Sequence, residues 1–131
     1  GSNARVIHKI ENDDILATTD AYRFLATGSG TGAQVSPVDV RKFKDKMVVF
    51  KNNMNDRVAS IIRLYADLDK GASSINQIFN LPNVSIPAGE SYIWSSIEYP
   101  VLKLPFIGIA CQARGLGNSG TVDVLFLGGV L

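Results

Sequence analysis

Cysteine and histidine are almost absent from the sequence. One Cys and one His occur among the 131 residues, at Cys111 and His8. A single cysteine cannot close an intramolecular disulfide, and these two residues cannot supply the ligand cluster of a transition-metal site. We therefore expect no disulfide framework and no transition-metal site, and the sequence as a whole has no recognisable site for a cofactor. Cys111 is expected to pack as a small buried hydrophobe, and His8 to be a half-exposed strand residue.

Net charge and long apolar runs are also lacking. The 13 basic and 12 acidic residues leave a formal charge of +1, so the chain has no basic field to attract nucleic-acid phosphates or anionic lipid. The longest apolar runs, at residues 106–110 and 124–127, fall far short of the ~20 residues that span a bilayer. We expect neither nucleic acid nor a membrane as a partner.

What the sequence has instead is a series of short β-like runs. Aromatic and β-branched residues cluster in stretches that Gly, Pro, Asn or Asp interrupts about every ten residues, a spacing typical of a β-sandwich or barrel. The pattern predicts an all-β, antiparallel β-sandwich of about eight strands. The predicted strands lie near residues 5–10, 21–27, 47–51, 58–67, 74–79, 91–99, 106–114 and 121–127.

Alternation along the run at residues 58–67 indicates which side chains face the core. Val58, Ile62 and Leu64 share one face, and Arg63 marks the opposite face as the wetter one. We predict that the first face packs into the interior of the sandwich.

The chain length fits a single domain. A fold of 131 residues buries enough surface for one core, and no linker or internal repeat divides the sequence. Residues 1–4, GSNA, are typical of the remnant of a cleaved expression tag. We therefore expect one β-sandwich domain over residues 5–131.

Residues 37–44 are open to two interpretations. The string SPVD at residues 36–39 resembles the start of a helix, with serine at the N-cap, proline at the first helical position and an acid at the third. This favours one short helix near residues 37–44. The alternation of Lys42 and Lys44 with Phe43 favours a strand instead.

Turn-forming residues separate the predicted strands. Pro87 and Gly89 lie two apart, as in a type II turn, and residues 52–56 supply polar turn formers. Residues 28–37 contain three glycines and predict a mobile surface loop.

The string GLGNSG at residues 115–120 matches G-x-G-x-x-G, the dinucleotide-binding fingerprint. The fingerprint binds a pyrophosphate only where its last glycine opens a helix. Here the β-branched run TVDVLF follows. The string therefore predicts a hairpin loop that joins the last two strands.

Two groups of acids have a faint likeness to calcium ligands. Residues 67–71, DLDKG, begin like a calcium loop but lack its later ligands, so they favour a polar hairpin turn. Glu11, Asp13 and Asp14 are clustered in sequence, and a solvated loop is the simpler interpretation. Neither G-x-S-x-G nor H-E-x-x-H occurs. We expect that the chain is not an enzyme. The sequence leaves open one enzyme class, a hydrolase whose two carboxylates are distant in sequence and come together in the fold.

The strand at residues 91–99 carries the candidate contact residues. Tyr92 and Trp94 share one face of it, and Ile93 and Ile97 the other. If the isoleucines face the core, Tyr92, Trp94 and Glu98 face outward, where they would contact a ligand or another subunit. The alternative places Trp94 in the core and turns the isoleucines toward a neighbour.

From residue 46 to residue 127 the features follow a familiar order. An apolar strand ends in NN at 52–53, a strand follows at 57–67, then VSIPAGE at 84–90 and a glycine-looped hairpin. In this order the chain resembles small β-sandwich virion or tail accessory proteins of phages and prophages in Gram-positive bacteria. The resemblance implies a jelly-roll-like sandwich, made in the bacterial cytoplasm, that assembles with itself or with virion proteins and has no enzymatic role.

Two functions are consistent with these features. The first is a non-catalytic structural module, derived from a phage or prophage, that forms homo-oligomers or docks on a larger assembly through its sheet faces and edge strands. The second is a carbohydrate-binding module that recognises a glycan through Tyr92, Trp94 and the acidic residues 11–14.

Overall fold

The computed structural model describes residues 4–14, 23–24, 38–65, 77–113 and 118–130. Within them it has ten strands and one 3-10 helix, Pro100–Lys103. The strands are β1 Ala4–Asp14, β2 Arg23–Phe24, β3 Val38–Asp39, β4 Phe43–Asn52, β5 Val58–Tyr65, β6 Gln77–Asn80, β7 Val84–Ile86, β8 Ser91–Ser95, β9 Phe106–Ala113 and β10 Thr121–Val130. No helix among the described residues has the length and hydropathy needed to cross a membrane.

The described strands form two antiparallel sheets. Sheet A has four strands in the order β1-β10-β4-β8; sheet B has six, along the path β2-β9-β5-β6 with β3 added on β9 and β7 on β5. When the short strands β3 and β7 are left out, the order by chain position is 1-8-3-6 in one sheet and 2-7-4-5 in the other. This is the double Greek key of a jelly roll. The fold is therefore the all-β sandwich predicted from the sequence.

The core lies between the two sheets, where alternate side chains of each strand point inward. Sheet A contributes Phe50 and Phe126, and sheet B contributes Ile62 and Ile109, all of them buried. Because β4 pairs with β10 and β5 with β9, the inward residues of each pair form a continuous apolar layer. Such burial stabilises the fold by ~25 cal/mol for each Å² of apolar surface removed from water.

Each of the eight predicted strands overlaps a strand of the structure. In β5, Val58, Ile62 and Leu64 are fully buried, and Arg63 on the opposite face is partly exposed. The predicted inward face is therefore confirmed. The strands that the sequence did not predict, β3 and β7, have only two and three residues, too few for a periodic pattern.

The predictions for the two rare residues are confirmed. Cys111 is fully buried in β9, with its Sγ 3.1 Å from the hydroxyl oxygen of Ser60. His8 is half-buried in β1, and its ring centroid lies 6.1 Å from that of Phe126. Both side chains thus take part in packing.

The prediction of a short helix near residues 37–44 is wrong. Val38–Asp39 form β3 and pair with β9, and β4 begins at Phe43. The Asp39 carboxylate accepts hydrogen bonds from the backbone N–H and the guanidinium of Arg41, so the acid closes a turn instead of capping a helix. The guanidinium also lowers the pKa of Asp39. Val38 and Val40 are both buried, a two-residue period that a helix does not produce.

The turn before β8 has the predicted chemistry. Gly89 has a φ of +78°, and the Glu90 N–H donates to the Pro87 carbonyl at 3.2 Å. A positive φ at the third residue is what a type II turn requires. The predicted loop at residues 28–37 and the predicted turn at residues 67–71 lie outside the described residues.

The described part of the string at residues 115–120 begins at its fourth residue. After Gly120 the chain enters β10 directly, so the strand predicted there is confirmed. The predicted hairpin is wrong, because β9 belongs to sheet B and β10 to sheet A, and the two strands do not pair. Gly120 has a φ of +125°, and a Cβ on it would lie 2.7 Å from the carbonyl oxygen of Asn53 and from the Cα of Met54. The last glycine of the string is therefore explained by backbone packing on the turn that follows β4.

Two buried asparagines fasten the same end of the sandwich. The side-chain amide of Asn52 donates to the carbonyls of Asp56 and Ile86, at 2.9 Å each. The amide of Asn118 donates to the Arg57 carbonyl at 2.9 Å, and its Oδ1 accepts from the Asp56 N–H at 3.1 Å. The two amides thus provide hydrogen-bond partners for buried backbone groups at this end of the sandwich.

Candidate interaction surface

The outward side of sheet A carries aliphatic side chains from its two central strands. Residues 47–50 of β4 and 124–127 of β10 are apolar at every position, so alternation gives these strands two apolar faces. A strand of this kind is usually covered on both sides. Here Met47, Val49, Leu125 and Leu127 point outward and are only partly buried.

Strand pairing arranges the outward side chains in three rows across sheet A. The rows, from β1 toward β8, are Val6, Leu127, Met47, Ser95; then Lys9, Leu125, Val49, Ile93; then Asp123, Lys51, Ser91. Directly opposed residues on neighbouring strands lie about 5 Å apart. The aliphatic members of the first two rows therefore form one continuous surface.

We call this surface the aliphatic face; it consists of Val6, Met47, Val49, Ile93, Leu125 and Leu127. Val6 is 58% exposed and Ile93 51%, and Ile97, in the turn after β8, is 86% exposed. Its two rows, ~7 Å apart, across four strands ~4.8 Å apart cover on the order of 270 Å². Contiguous exposed apolar patches of a few hundred Å² are often functional.

An open depression of about 470 Å³ lies at one end of the aliphatic face. Its floor includes Val49 and Leu125, and its rim carries charged side chains of both signs. On that rim Lys9 forms an ion pair with Glu11. A hydrogen bond and the charge of Glu11 raise the pKa of Lys9. The depression thus combines an aliphatic floor with a rim on which opposite charges are paired.

Lys51 and Asp123 are direct cross-strand partners at this end of the aliphatic face. They lie on opposite sides of the line that separates β4 from β10. The Lys51 ammonium donates to the Gly89 carbonyl at 2.5 Å, and the Asp123 carboxylate accepts from the Asn53 amide at 2.6 Å. Local hydrogen bonds therefore hold one cation and one anion side by side.

Lys46 is a buried lysine at the opposite end of β4. It is 5% exposed on the inward side of the strand, and its ammonium donates to the Leu104 carbonyl at 3.3 Å. Burial lowers the pKa of Lys46, and the charge of Lys103 lowers it further. A protonated amine at this position is a cost to folding, since burial penalises the charged form.

Of the two placements left open for the strand at residues 91–99, the outward placement of Tyr92 and Trp94 is wrong and the alternative, with Trp94 in the core, is confirmed. Trp94 is 1% exposed and pairs with Val48 on the core side of sheet A. Tyr92 is half-buried on the same side, with its ring centroid 4.8 Å from that of Trp94. An indole removes more apolar area from water than an isoleucine, so β8 turns Ile93 outward instead. Glu98 is exposed, and its contact role stays a prediction.

The burial of Trp94 leaves the carbohydrate-binding hypothesis without its aromatic platform. The loop predicted at the acidic residues 11–14 was its second element. This prediction is also wrong, because β1 continues through these residues and pairs Asp14 with Thr121.

Among the described residues, no group of three or more His, Cys, Asp or Glu side chains is placed to hold a metal ion.

The aliphatic face was not singled out by sequence reasoning, although a signal for it exists. The runs at residues 47–50 and 124–127 are apolar at consecutive positions, which is more than a strand with one solvated face needs. Their outward members become one surface only through the register of β10 with β4.

Comparison with known proteins places the chain in no family. No protein-family model matches it, and no curated protein is significantly similar to it. Among solved structures, it is similar to a protein of Bacillus endospore appendages, described as disulfide-linked pili, with 7% identity over 100% of this chain and 96% of that chain and a TM-score of 0.41.

Two further solved structures are similar at the same level. One is a carbohydrate-binding module of the family 9 glycoside hydrolase Cel9A from Ruminococcus flavefaciens FD-1, with 10% identity over 92% of this chain and 96% of that chain and a TM-score of 0.45. The other is the Tobacco streak virus coat protein, with 7% identity over 100% and 88% of the two chains and a TM-score of 0.42. At these TM-scores the similarities carry no argument about function.

Proposed function

We propose that the chain is a non-catalytic structural module that associates with copies of itself through the aliphatic face of sheet A. The observation that carries the proposal is the solvent exposure of one continuous aliphatic surface across all four strands of this sheet. Val6 and Ile93, at its two edges, are each more than half exposed. Covering them would remove apolar area from water, which favours association.

The size of the aliphatic face sets the expected strength of association. A patch on the order of 270 Å² per partner is about a third of the ~800 Å² that each partner buries in a stable complex. Association should therefore be weak for an isolated pair, with a dissociation constant in the micromolar to millimolar range. In an assembly of many copies, such contacts add up because each further contact is intramolecular.

The virion or tail setting implied by the resemblance belongs to this proposal. A jelly roll that associates weakly through one sheet face suits a repeated component of a particle. The genes that flank the coding sequence test the setting, because capsid or tail genes beside it support it and a metabolic operon contradicts it.

Sedimentation equilibrium on the purified chain tests the association. The average mass of the wild type should rise above 14.1 kDa as the concentration approaches about 1 mM, the upper end of the expected dissociation constants. Val49→Glu places a charge in the middle of the aliphatic face and should keep the mass at that of a monomer. Ile61→Glu is the matched control, because Ile61 is a partly exposed aliphatic residue of sheet B.

Two outcomes would contradict the proposal. In one, the wild type stays monomeric over the whole concentration range. In the other, Val49→Glu, checked for folding by the fluorescence of Trp94, associates as strongly as the wild type. An effect of Ile61→Glu equal to that of Val49→Glu would show that the loss comes from added charge on either sheet and not from the aliphatic face.

A further inference from the structure

We infer that the aliphatic face is covered by the same face of a second copy, in a two-fold dimer whose axis runs along the strands between β4 and β10. The inference rests on the proposed function and adds the geometry of the contact. Its basis is the placement of Lys51 and Asp123, which are cross-strand partners on opposite sides of the line between these two strands.

A two-fold axis in the plane of the interface exchanges the strands on its two sides. If it lies along the line between β4 and β10, then β10 of one copy covers β4 of the other. Asp123 of each copy then faces Lys51 of the other, and the dimer gains two pairs of opposite charges. The face is therefore complementary to itself in charge.

The aliphatic rows match under the same operation. Leu125 lies opposite Val49 of the second copy, and Leu127 lies opposite Met47, so apolar side chains meet along the whole axis. At the edges, β1 covers β8, and Lys9 lies opposite Ile93. The methylene stem of a lysine covers apolar surface while its ammonium stays in water, so this contact leaves no charge buried.

The twist of the sheets does not separate the charged pairs. Sheets that pack face to face cross at about 30°, and successive rows lie ~7 Å apart along a strand. Suppose that the two sheets cross at the row of Leu125 and Val49. The row of Lys51 and Asp123 is then shifted sideways, relative to the same row of the second copy, by only about 3–4 Å. The long side chain of a lysine spans this offset.

A different axis would pair different charges. If the two-fold axis ran across the strands instead, β4 would cover β4, and Lys51 would approach Asp45 at the other end of that strand. Asp123 would then face Gly129, which has no side chain. Of these two axes, only the one along the strands places a side chain of opposite charge from the second copy opposite both Lys51 and Asp123.

Exchange of the two charges between copies tests the geometry. Lys51→Asp alone places two carboxylates opposite each other, and Asp123→Lys alone places two ammonium groups opposite each other. Each variant by itself should associate at least about tenfold more weakly than the wild type. An equimolar mixture should restore wild-type association as a heterodimer, since every carboxylate then faces an ammonium. Isotopic labelling of one variant identifies the heterodimer by native mass spectrometry.

The outcomes separate this inference from the proposed function. If Val49→Glu abolishes association but the mixed variants form no heterodimer, the axis is wrong and the aliphatic contact stands. If Lys51→Asp instead forms a heterodimer with Asp45→Lys, the axis runs across the strands and the inference is overturned. If the wild type does not associate at all, the proposed function fails and the inference fails with it. The thermal unfolding of each variant is measured separately to show that it folds.

Discussion

The side-chain amide of Asn52 in β4 donates a 2.9 Å hydrogen bond to the carbonyl of Ile86 in β7. Asn52 belongs to sheet A and Ile86 to sheet B, so one fully buried polar side chain joins the two sheets. The same nitrogen donates to the Asp56 carbonyl, and the Oδ1 atom accepts from the Met54 N–H at 2.9 Å. Three backbone groups depend on this one amide.

Asn52→Asp should destabilise the fold by about 2–4 kcal/mol, because a carboxylate cannot donate and would face two carbonyl oxygens in a buried site. Urea unfolding at neutral pH measures the loss. Asn55→Asp is the control. Asn55 is exposed, and its Oδ1 accepts from the Ser119 N–H, a role that a carboxylate retains. Its Nδ2 donates to the Ser119 hydroxyl, and this hydroxyl can donate to a carboxylate instead. An equal loss in both variants would show that the buried amide has no special role.

Gly120→Ala should destabilise more than Gly89→Ala. Both glycines have a positive φ, but a Cβ on Gly120 would lie 2.7 Å from backbone atoms of Asn53 and Met54, whereas a Cβ on Gly89 would have nothing within 4 Å. Gly89→Ala should therefore cost about 1–2 kcal/mol from the strained φ alone, and Gly120→Ala should cost more than that. Thermal unfolding of the two variants side by side gives the comparison, and equal losses would rule out the close contact.

Lys46→Met should raise stability at neutral pH. Burial lowers the pKa of Lys46 in the folded state from its ordinary value of 10.5. Between the lowered pKa and 10.5, the unfolded chain binds more protons than the folded chain, so the stability of the wild type rises with pH in this window. Below the window both states are protonated, and the cost of the buried charge is fully present.

The stability difference between Lys46→Met and the wild type should therefore shrink as the pH rises through that window. Chemical unfolding of both proteins at a series of alkaline pH values measures it. Lys44→Met, at an exposed position of the same strand, should leave stability almost unchanged at every pH. A difference that stays constant with pH would show that the Lys46 ammonium is well solvated.

The fluorescence of Trp94 should report a buried indole. The sequence has a single tryptophan, so the emission of the folded chain comes from Trp94 without contribution from another indole. It should be blue-shifted and resistant to quenching by iodide, and it should shift to the red on unfolding. Trp94→Ala should cost about 3–5 kcal/mol, as loss of a large core side chain does. Red-shifted, easily quenched emission from the folded chain would restore the outward placement.

Strand positions could be predicted from the sequence because alternation is a local property. Which of two apolar faces turns inward could not, since Ile93 and Trp94 both suit a core and the larger ring decides the outcome through the area it buries. The hydrogen bond by which Asn52 joins the two sheets could not be predicted either, because its partner Ile86 lies 34 residues away in the sequence. A polar residue at a strand end indicates only a turn.

The aliphatic face required the register of the sheet. Val6 joins the row of Leu127 and Met47 only because a register shift between Val6 and His8 realigns β1 against β10. Without that irregularity the outward residues of β1 would fall on different rows, since a slip of one residue exchanges the two faces of a strand. The sequence by itself indicates that β4 and β10 are apolar on both sides, but not that their outward residues line up in shared rows.

A dilution series of ¹⁵N-labelled protein followed by NMR tests the central claim most directly, because it shows both whether the chain associates and where. Self-association through the aliphatic face predicts concentration-dependent shifts of the backbone amides of Val49, Leu125 and Leu127, with Ile109 in sheet B unaffected. Spectra that do not change from millimolar to micromolar concentration, or shifts confined to sheet B, would contradict it.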